Sequence, residues 1–133
     1  MEQQTSKKQF TYRGKTIEEL KTLSIREFAE FLNARERRTA IRQFQEIEKF
    51  VNRLKEKDRK GKKIRTHNRD IIIVPELVGM KISVYNGNQF VPFDVTGEML
   101  GHRLGEFALT RGKIKHSKAG VGATKGSKHK AKK

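Results

Sequence analysis

The sequence lacks several residue types, and each absence excludes a class of protein. Its 133 residues contain no cysteine, which excludes disulfide frameworks and thiolate metal sites, and no tryptophan, a residue that a membrane anchor beside a basic run would favour. No apolar run approaches the length of a membrane span, and residues 1–5 lack the apolar core of a secretory signal. We therefore expect a soluble, cytoplasmic protein without a membrane partner.

Acidic residues are missing from the end of the chain. After Glu106 there is no Asp or Glu, whereas residues 107–133 contain nine Lys or Arg and four Gly. This segment has little apolar surface to bury, so folding alone cannot offset its ordering entropy. A block of like charges repels itself and attracts polyanions, of which nucleic acid is the leading candidate. An anionic membrane is the weaker alternative, because Phe107 is the single aromatic residue beside the block.

The net charge of +16 is spread unevenly along the chain. Residues 1–58 carry 14 basic and ten acidic residues, whereas residues 111–133 carry nine basic residues and no acidic one. Together with the length, this distribution predicts one domain with two extensions. We expect an N-terminal helical extension over 1–58, an α+β core over 59–111 and a flexible basic arm over 112–133.

Two capping boxes mark the starts of short helices. In Thr16-Ile-Glu-Glu19 the Thr16 hydroxyl can accept from the backbone N–H three residues later, and the Glu19 carboxylate can reach back. Ser24-Ile-Arg-Glu27 repeats the pattern. These motifs predict helices over about 17–22 and 25–32. The polar residues 1–13 are expected to be disordered or ordered by a partner.

A longer helix is predicted from about residue 34 to 57, where apolar residues recur at spacings of three and four. The stripe consists of Ala40, Ile41, Phe44, Ile47, Val51 and Leu54. Arg35, Arg37 and Arg38 lie near its start, where the helix dipole disfavours cations. That placement favours an external anionic partner, and a solvated helix face is the alternative.

The second half of the chain has the patterns of strands. A charged hinge at 58–63 precedes the β-branched run 71–74, which predicts a strand. A hairpin is predicted over about 81–93, because Asn86-Gly87 lies between two alternating segments and tolerates positive φ. Pro92 cannot donate to a ladder, so its strand should lie at an edge. Helices followed by strands indicate the α+β class.

No arrangement of residues predicts catalysis or a metal site. The segment Gly120-Val-Gly-Ala-Thr-Lys-Gly126 lacks the spacing, preceding strand and following helix of a phosphate-binding loop. The histidines are too scattered for a zinc site without cysteine partners. They are His67, His102, His116 and His129. We therefore expect neither an enzyme nor a cofactor.

Residues 75–111 contain four motifs in a fixed order. They are Pro75-Glu-Leu-Val-Gly79, Val84-Tyr-Asn-Gly87, Val91-Pro92 and Gly101-His-Arg-Leu-Gly-Glu-Phe-Ala-Leu-Thr-Arg111. With these motifs the segment closely resembles one family, ribosomal protein S19 of the small subunit. The resemblance extends upstream through 65–69 and downstream into Lys115-His116 and 120–124. Bacterial members lack the helical region around 32–38, so this chain resembles the archaeal and eukaryotic branch, leaning archaeal.

The resemblance implies a structural protein that binds ribosomal RNA in the head of the small subunit, beside ribosomal protein S13. It also implies a small α+β domain with a short mixed sheet and a C-terminal arm that extends toward the decoding site and the aminoacyl-site transfer RNA. No homo-oligomer is expected. A nucleic-acid chaperone outside the ribosome is the competing class, which would bind free nucleic acid without co-sedimenting with small subunits.

Cationic and imidazole side chains in or beside these motifs are the predicted RNA ligands. Around the domain they are Lys62, Lys63, Arg65, Arg69, Lys81, His102, Arg103 and Arg111, with Arg35, Arg37 and Arg38 on the helix. In the arm they are Lys113, Lys115, His116, Lys118 and Lys125. Lys and Arg neutralise phosphate, and the glycines between them let the backbone approach it.

Overall fold

The computed structural model describes residues 8–115 and Gly126, and it confirms the α+β class. Short 3-10 turns lie at Pro75–Leu77, Gly97–Met99 and Leu104–Phe107. Within the described residues no helix is long and apolar enough to span a membrane. The helices are α1 (Ile17–Lys21), α2 (Ile25–Ala29), α3 (Ala34–Arg42) and α4 (Phe44–Arg59). The strands are β1 (Thr11–Tyr12), β2 (Lys15–Thr16), β3 (Ile64–Thr66), β4 (Lys81–Tyr85) and β5 (Phe90–Asp94).

Both predicted capping boxes are present, and they start α1 and α2. The Glu19 N–H donates to the Thr16 hydroxyl at 3.4 Å, and the Thr16 N–H donates to the Glu19 carboxylate at 3.0 Å. At α2 the Ser24 N–H and hydroxyl both donate to the Glu27 carboxylate, at 2.8 and 2.9 Å. These two hydrogen bonds, the backbone one foremost, lower the pKa of Glu27 because they favour its charged form.

Residues 8–13 are ordered where disorder or ordering by a partner was expected, and residues 1–7 of that prediction lie outside the described residues. Strands β1 and β2 pair antiparallel around Arg13 and Gly14, which both adopt positive φ. The aromatic residues of this hairpin anchor it to the domain. The Tyr12 ring lies 6.0 Å from that of Phe28, and the Phe10 ring lies against Gly97. The mainly polar composition of residues 1–13 gave no indication of these two aromatic contacts.

The predicted single helix is two helices joined at Gln43, whose φ of −108° and ψ of 17° leave the helical region. The break changes the phase of the apolar stripe. Ile47, Val51 and Leu54 are buried as predicted, whereas Ile41 is 50 % exposed and Phe50 is buried instead. The prediction of an amphipathic helical segment was therefore correct, but it placed some residues on the wrong face because it did not foresee the break.

Strand β4 is the centre of a three-stranded mixed sheet, parallel to β3 and antiparallel to β5. The predicted hairpin is confirmed, with Pro92 on the edge strand β5. Its turn spans 86–89, and the Asn86 side chain accepts from the N–H groups of Asn88 and Gln89 at 2.9 and 2.8 Å. Gly87 adopts a φ of 100°, whereas Asn86 does not need positive φ.

The strand predicted over 71–74 is wrong, and β3 takes its place in the sheet. Residues 71–74 are buried, but Ile72 makes only an isolated bridge to Arg103. The backbone of the segment bonds to the loop at 101–104 instead, as in the 2.8 Å hydrogen bond from the Ile73 N–H to His102. A β-branched run indicates that its side chains are buried, and the side chains of this segment are buried although it does not belong to a sheet.

One hydrophobic cluster joins the helices to the sheet. Leu20, Phe28 and Ile47 from the helices belong to the same cluster as Ile82 and Val84 from β4. Helix α4 packs against β3, so the inner face of the sheet is covered. No helix between residues 8 and 115 covers the outer face, whose residues are given in the next subsection. The boundaries expected for the N-terminal extension and the basic arm stay predictions.

Candidate nucleic-acid interface

Alternation along the strands gives the sheet two chemically different faces. On the inner face, Ile64, Ile82 and Val84 are buried. The outer face follows from the register, which pairs Arg65 with Ser83 and Ser83 with Pro92. On one side of the row formed by Arg65, Ser83 and Pro92, the same face carries His67, Tyr85 and Phe90. On the other side of that row it carries Lys63, Lys81 and Asp94. The outer face therefore has a basic end and an aromatic end.

Four predicted RNA ligands come together at the basic end. Lys62, Lys63, Arg65 and Lys81 are exposed and line a groove of about 590 Å³ on the outer face. Asp58 is the acidic residue in its lining. A concave surface lined by cations attracts a polyanion more strongly than the same charges do when scattered.

Three rings form a cluster at the aromatic end. The centroid of the His67 ring lies 4.6 Å from that of Tyr85 and 5.2 Å from that of Phe90, and those two are 5.1 Å apart. The guanidinium of Arg65 lies 5.4 Å from the centroid of Phe90 and links the two ends of the face. This cluster was not predicted from the sequence, because β3 was not identified there. Once β3 is known, period-two alternation places all three rings on one face.

Arg69 is a predicted RNA ligand whose guanidinium is used inside the protein. Its Nη1 donates to the carbonyl of Tyr85 at 2.7 Å, and its Nη2 donates to the carbonyls of Gly105 and Ala108, each at 2.7 Å. These bonds join the segment after β3 to β4 and to the last 3-10 turn. RNA binding by Arg69 stays a prediction, and the structure gives this side chain an architectural role.

Arg103 also lies inside the fold, between α3 and the segment before residue 71. Its Nε lies 3.2 Å from Glu36 Oε2, and its Nη2 donates to the Thr39 hydroxyl at 3.1 Å. Its Nη1 is 3.4 Å from the carbonyl of Asp70. Glu36 Oε2 is buried and has no well-directed hydrogen bond, so the proximity of Arg103 is its electrostatic compensation.

The three predicted RNA ligands of α3 differ in their contacts. Arg37 donates to the carbonyls of Ala29, Glu30 and Leu32 at 3.2, 2.9 and 3.3 Å, and so provides hydrogen-bond donors to carbonyls at and after the end of α2. Arg35 and Arg38 are exposed on the same helix. Arg42 at the end of α3 is exposed as well. The guanidinium of Arg37 differs from these because it bonds to backbone carbonyls at and after the end of α2, although the residue as a whole is exposed.

The remaining predicted ligands lie near the end of the described chain. His102 is exposed, and its Nδ1 lies 2.7 Å from Glu106 Oε2. Arg111, Lys113 and Lys115 are exposed. His116, Lys118 and Lys125 lie outside the described residues. Within the described ranges no group of three or more His, Asp or Glu is arranged to hold a metal ion.

A small basic α+β domain with a groove of cations beside rings that are exposed or half-buried at its surface is typical of a nucleic-acid-binding protein. The family model for ribosomal protein S19 matches residues 33–116. The chain is 48 % identical over 124 residues to the small ribosomal subunit protein uS19 of Methanocella arvoryzae, which covers 92 % of this chain and 86 % of the relative. It is 46 % identical over 123 residues to uS19 of Methanococcoides burtonii, with 92 % and 88 % covered.

The chain therefore belongs to the ribosomal protein S19 family. Both of these relatives are archaeal, which agrees with the predicted branch. Members of this family are structural constituents of the small ribosomal subunit, and so is this chain. It is therefore an rRNA-binding ribonucleoprotein that serves translation at the cytoplasmic ribosome, and not an enzyme.

Proposed function

We propose that this protein binds ribosomal RNA in the head of the small subunit through the outer face of its sheet. The groove lined by Lys62, Lys63, Arg65 and Lys81 carries the proposal, because it gathers four exposed cations on a face that no helix between residues 8 and 115 covers. The inner face and the α3 side supply rigidity. Phosphate contacts of this kind fix the position of a protein on RNA without reading its sequence.

The basic arm has a separate part in this proposal. The described chain leaves the fold after Ala108, which is buried, and Leu109 to Lys115 are exposed. Residues 112–133 carry eight Lys and no acidic residue. Fully extended, these residues span roughly 70–80 Å. Such an arm, anchored by the domain, would reach toward the decoding site and the aminoacyl-site transfer RNA, and the domain would lie beside ribosomal protein S13.

Cross-linking in the assembled subunit tests the proposal at individual residues. A photoreactive group placed at Lys63 or Lys81 should cross-link to small-subunit rRNA of the head. The same group at Lys115 or Lys125 should cross-link to RNA near the decoding site or to bound transfer RNA. A group at Glu48, which is exposed on α4, serves as the matched control.

Two results would contradict the proposal. Protein that remains free of small subunits during sedimentation at moderate salt would support the chaperone alternative. Cross-links from Glu48 with none from Lys63 or Lys81 would place the RNA on the helical side of the domain.

A further inference from the structure

Phosphate binding does not account for the three rings at the aromatic end of the outer face, one of which, Phe90, also lines the groove of cations. His67 is exposed, and Tyr85 and Phe90 are half-buried. Their planes are inclined to one another by 48° to 78°, so no ring is stacked face to face on another. The Tyr85 hydroxyl donates to the carbonyl of Gly87 at 3.1 Å, which fixes this ring beside the hairpin turn.

The position of the cations relative to these rings has a consequence for the ligand. Arg65 lies over Phe90. Lys63 on the β3 side and Lys81 on β4 lie two residues before Arg65 and Ser83, and so farther from the rings. A ligand that follows the face therefore meets cations at one end and π faces at the other. A double helix presents phosphates, sugars and base edges to such a face but no free base plane, since its bases are stacked on each other inside.

From this arrangement we infer that the outer face binds single-stranded RNA and stacks an unpaired base on the cluster of His67, Tyr85 and Phe90. Arg65, Lys63 and Lys81 bind the phosphates on one side of that base. This mode rests on the proposed rRNA function, and it specifies an unpaired nucleotide as the ligand. Aromatic side chains beside a basic groove are the usual platform for unstacked bases.

The test compares two RNAs with the full-length protein. One is an oligouridylate of about 12 nucleotides with a central 2-aminopurine, and the other is an A-form duplex of the same length. On wild-type protein the 2-aminopurine fluorescence should be quenched as the base stacks. Phe90→Leu keeps an apolar side chain but removes the π face. It should abolish most of the quenching and weaken single-strand binding about tenfold, with duplex affinity changed less than about twofold.

Matched variants separate stacking from damage to the fold. Phe90→Trp restores a ring and should restore quenching. Phe44→Leu removes a ring that also lies under an arginine, with Arg26 at 3.9 Å, but on α4 and away from the sheet, so it should bind both RNAs as wild type does. Lys63→Gln should weaken binding to both RNAs and lower the salt slope by about one unit.

Each outcome decides the inference. Single-strand binding and quenching that survive in Phe90→Leu overturn it, because the rings would then only pack on one another. Equal weakening for both RNAs also overturns it, because the face would then bind phosphate alone. If the wild-type protein co-sediments with small subunits but Phe90→Leu changes neither the quenching nor the single-strand affinity, only the stacking is refuted. Wild-type protein that neither co-sediments nor cross-links refutes the rRNA proposal itself.

Discussion

Arg69 and Gly105 bind each other twice, although 36 residues separate them. The Gly105 N–H donates to the Arg69 carbonyl at 2.8 Å, and Arg69 Nη2 donates to the Gly105 carbonyl at 2.7 Å. The same guanidinium reaches β4 through Tyr85. This reciprocal contact ties the end of the folded domain, from which the arm departs, to the sheet that is proposed to bind RNA.

Replacing Arg69 with alanine should destabilise the domain by about 2–3 kcal/mol, because half-buried carbonyls lose charge-assisted hydrogen bonds. Urea unfolding followed by circular dichroism measures the change. Arg69→Lys should recover little of it, since an ammonium lacks the planar fork that serves three carbonyls. Arg65→Ala, an exposed neighbour, should change the free energy of unfolding by less than about 0.5 kcal/mol. Wild-type stability in Arg69→Ala, with weakened RNA binding, would instead make this residue an RNA ligand.

Gly105→Ala should destabilise the domain by about 1–3 kcal/mol through steric overlap. A Cβ at this position would lie 2.9 Å from Arg69 Cβ and 3.0 Å from the Arg69 carbonyl oxygen, which is backbone and cannot swing aside. Gly112→Ala is the matched control, because nothing lies within 4 Å of its added Cβ. Thermal unfolding of the two variants checks the prediction. Equal unfolding midpoints for the two variants would mean that the backbone at Arg69 shifts to accommodate the added Cβ without loss of stability.

The pair of Arg103 and Glu36 should show a coupling energy of about 1 kcal/mol in a double-mutant cycle. The two side chains are 26 % and 14 % exposed, so the pair is partly desolvated and should exceed an exposed ion pair. Glu36→Gln, Arg103→Met and their combination complete the cycle by urea unfolding. Each single variant should be less stable than the wild type, because each leaves one partner uncompensated. Additive effects would show that the contact makes no energetic contribution.

Glu27 should titrate below an ordinary glutamate, because the Ser24 backbone N–H and hydroxyl hold its pKa down. A folded-state pKa below the unfolded one stabilises the fold above the unfolded pKa. That contribution is lost as pH falls through the folded pKa. Carboxyl chemical shifts followed through acid pH measure the titration. Ser24→Ala removes the side-chain hydrogen bond and should move the Glu27 pKa part of the way back. An unchanged midpoint would assign the shift to the backbone N–H alone.

Deleting residues 112–133 should leave the domain folded, since the chain beyond Ala108 is exposed as far as it is described. The dependence of RNA affinity on salt should weaken by about 0.7–0.9 log units for each phosphate that the arm neutralises in the intact protein. Fluorescence anisotropy with small-subunit rRNA fragments at several salt concentrations measures the slope. Circular dichroism of the truncated protein controls for folding. An unchanged slope would show that the arm does not contact the RNA.

Local patterns in the sequence predicted local structure well. Both capping boxes and the hairpin around Asn86-Gly87 were found because their partners lie within a few residues of each other. The segment 71–74 was misassigned because its β-branched side chains are required for burial, and the backbone partners that decide its structure lie at 101–104. The break at Gln43 has no Pro or Gly to mark it.

Long-range contacts explain what the sequence could not predict about the candidate site. Arg69, Arg103 and Arg37 match the chemistry of RNA ligands, but much of their hydrogen bonding is to backbone carbonyls, which leave no mark in a sequence. The aromatic cluster required knowledge that β3 runs parallel to β4, which brings His67 beside Tyr85. The cations of the groove were predictable by type, and their convergence was not.

Pro92 in the middle of β5 has a further consequence for the protein before it is assembled. β5 is an edge strand, and Pro92 has no N–H to offer along its outer side. A neighbouring polypeptide that tried to extend the sheet there would leave a carbonyl without its donor. The newly made protein thus carries a built-in obstacle to self-association at an edge next to its proposed RNA-binding face.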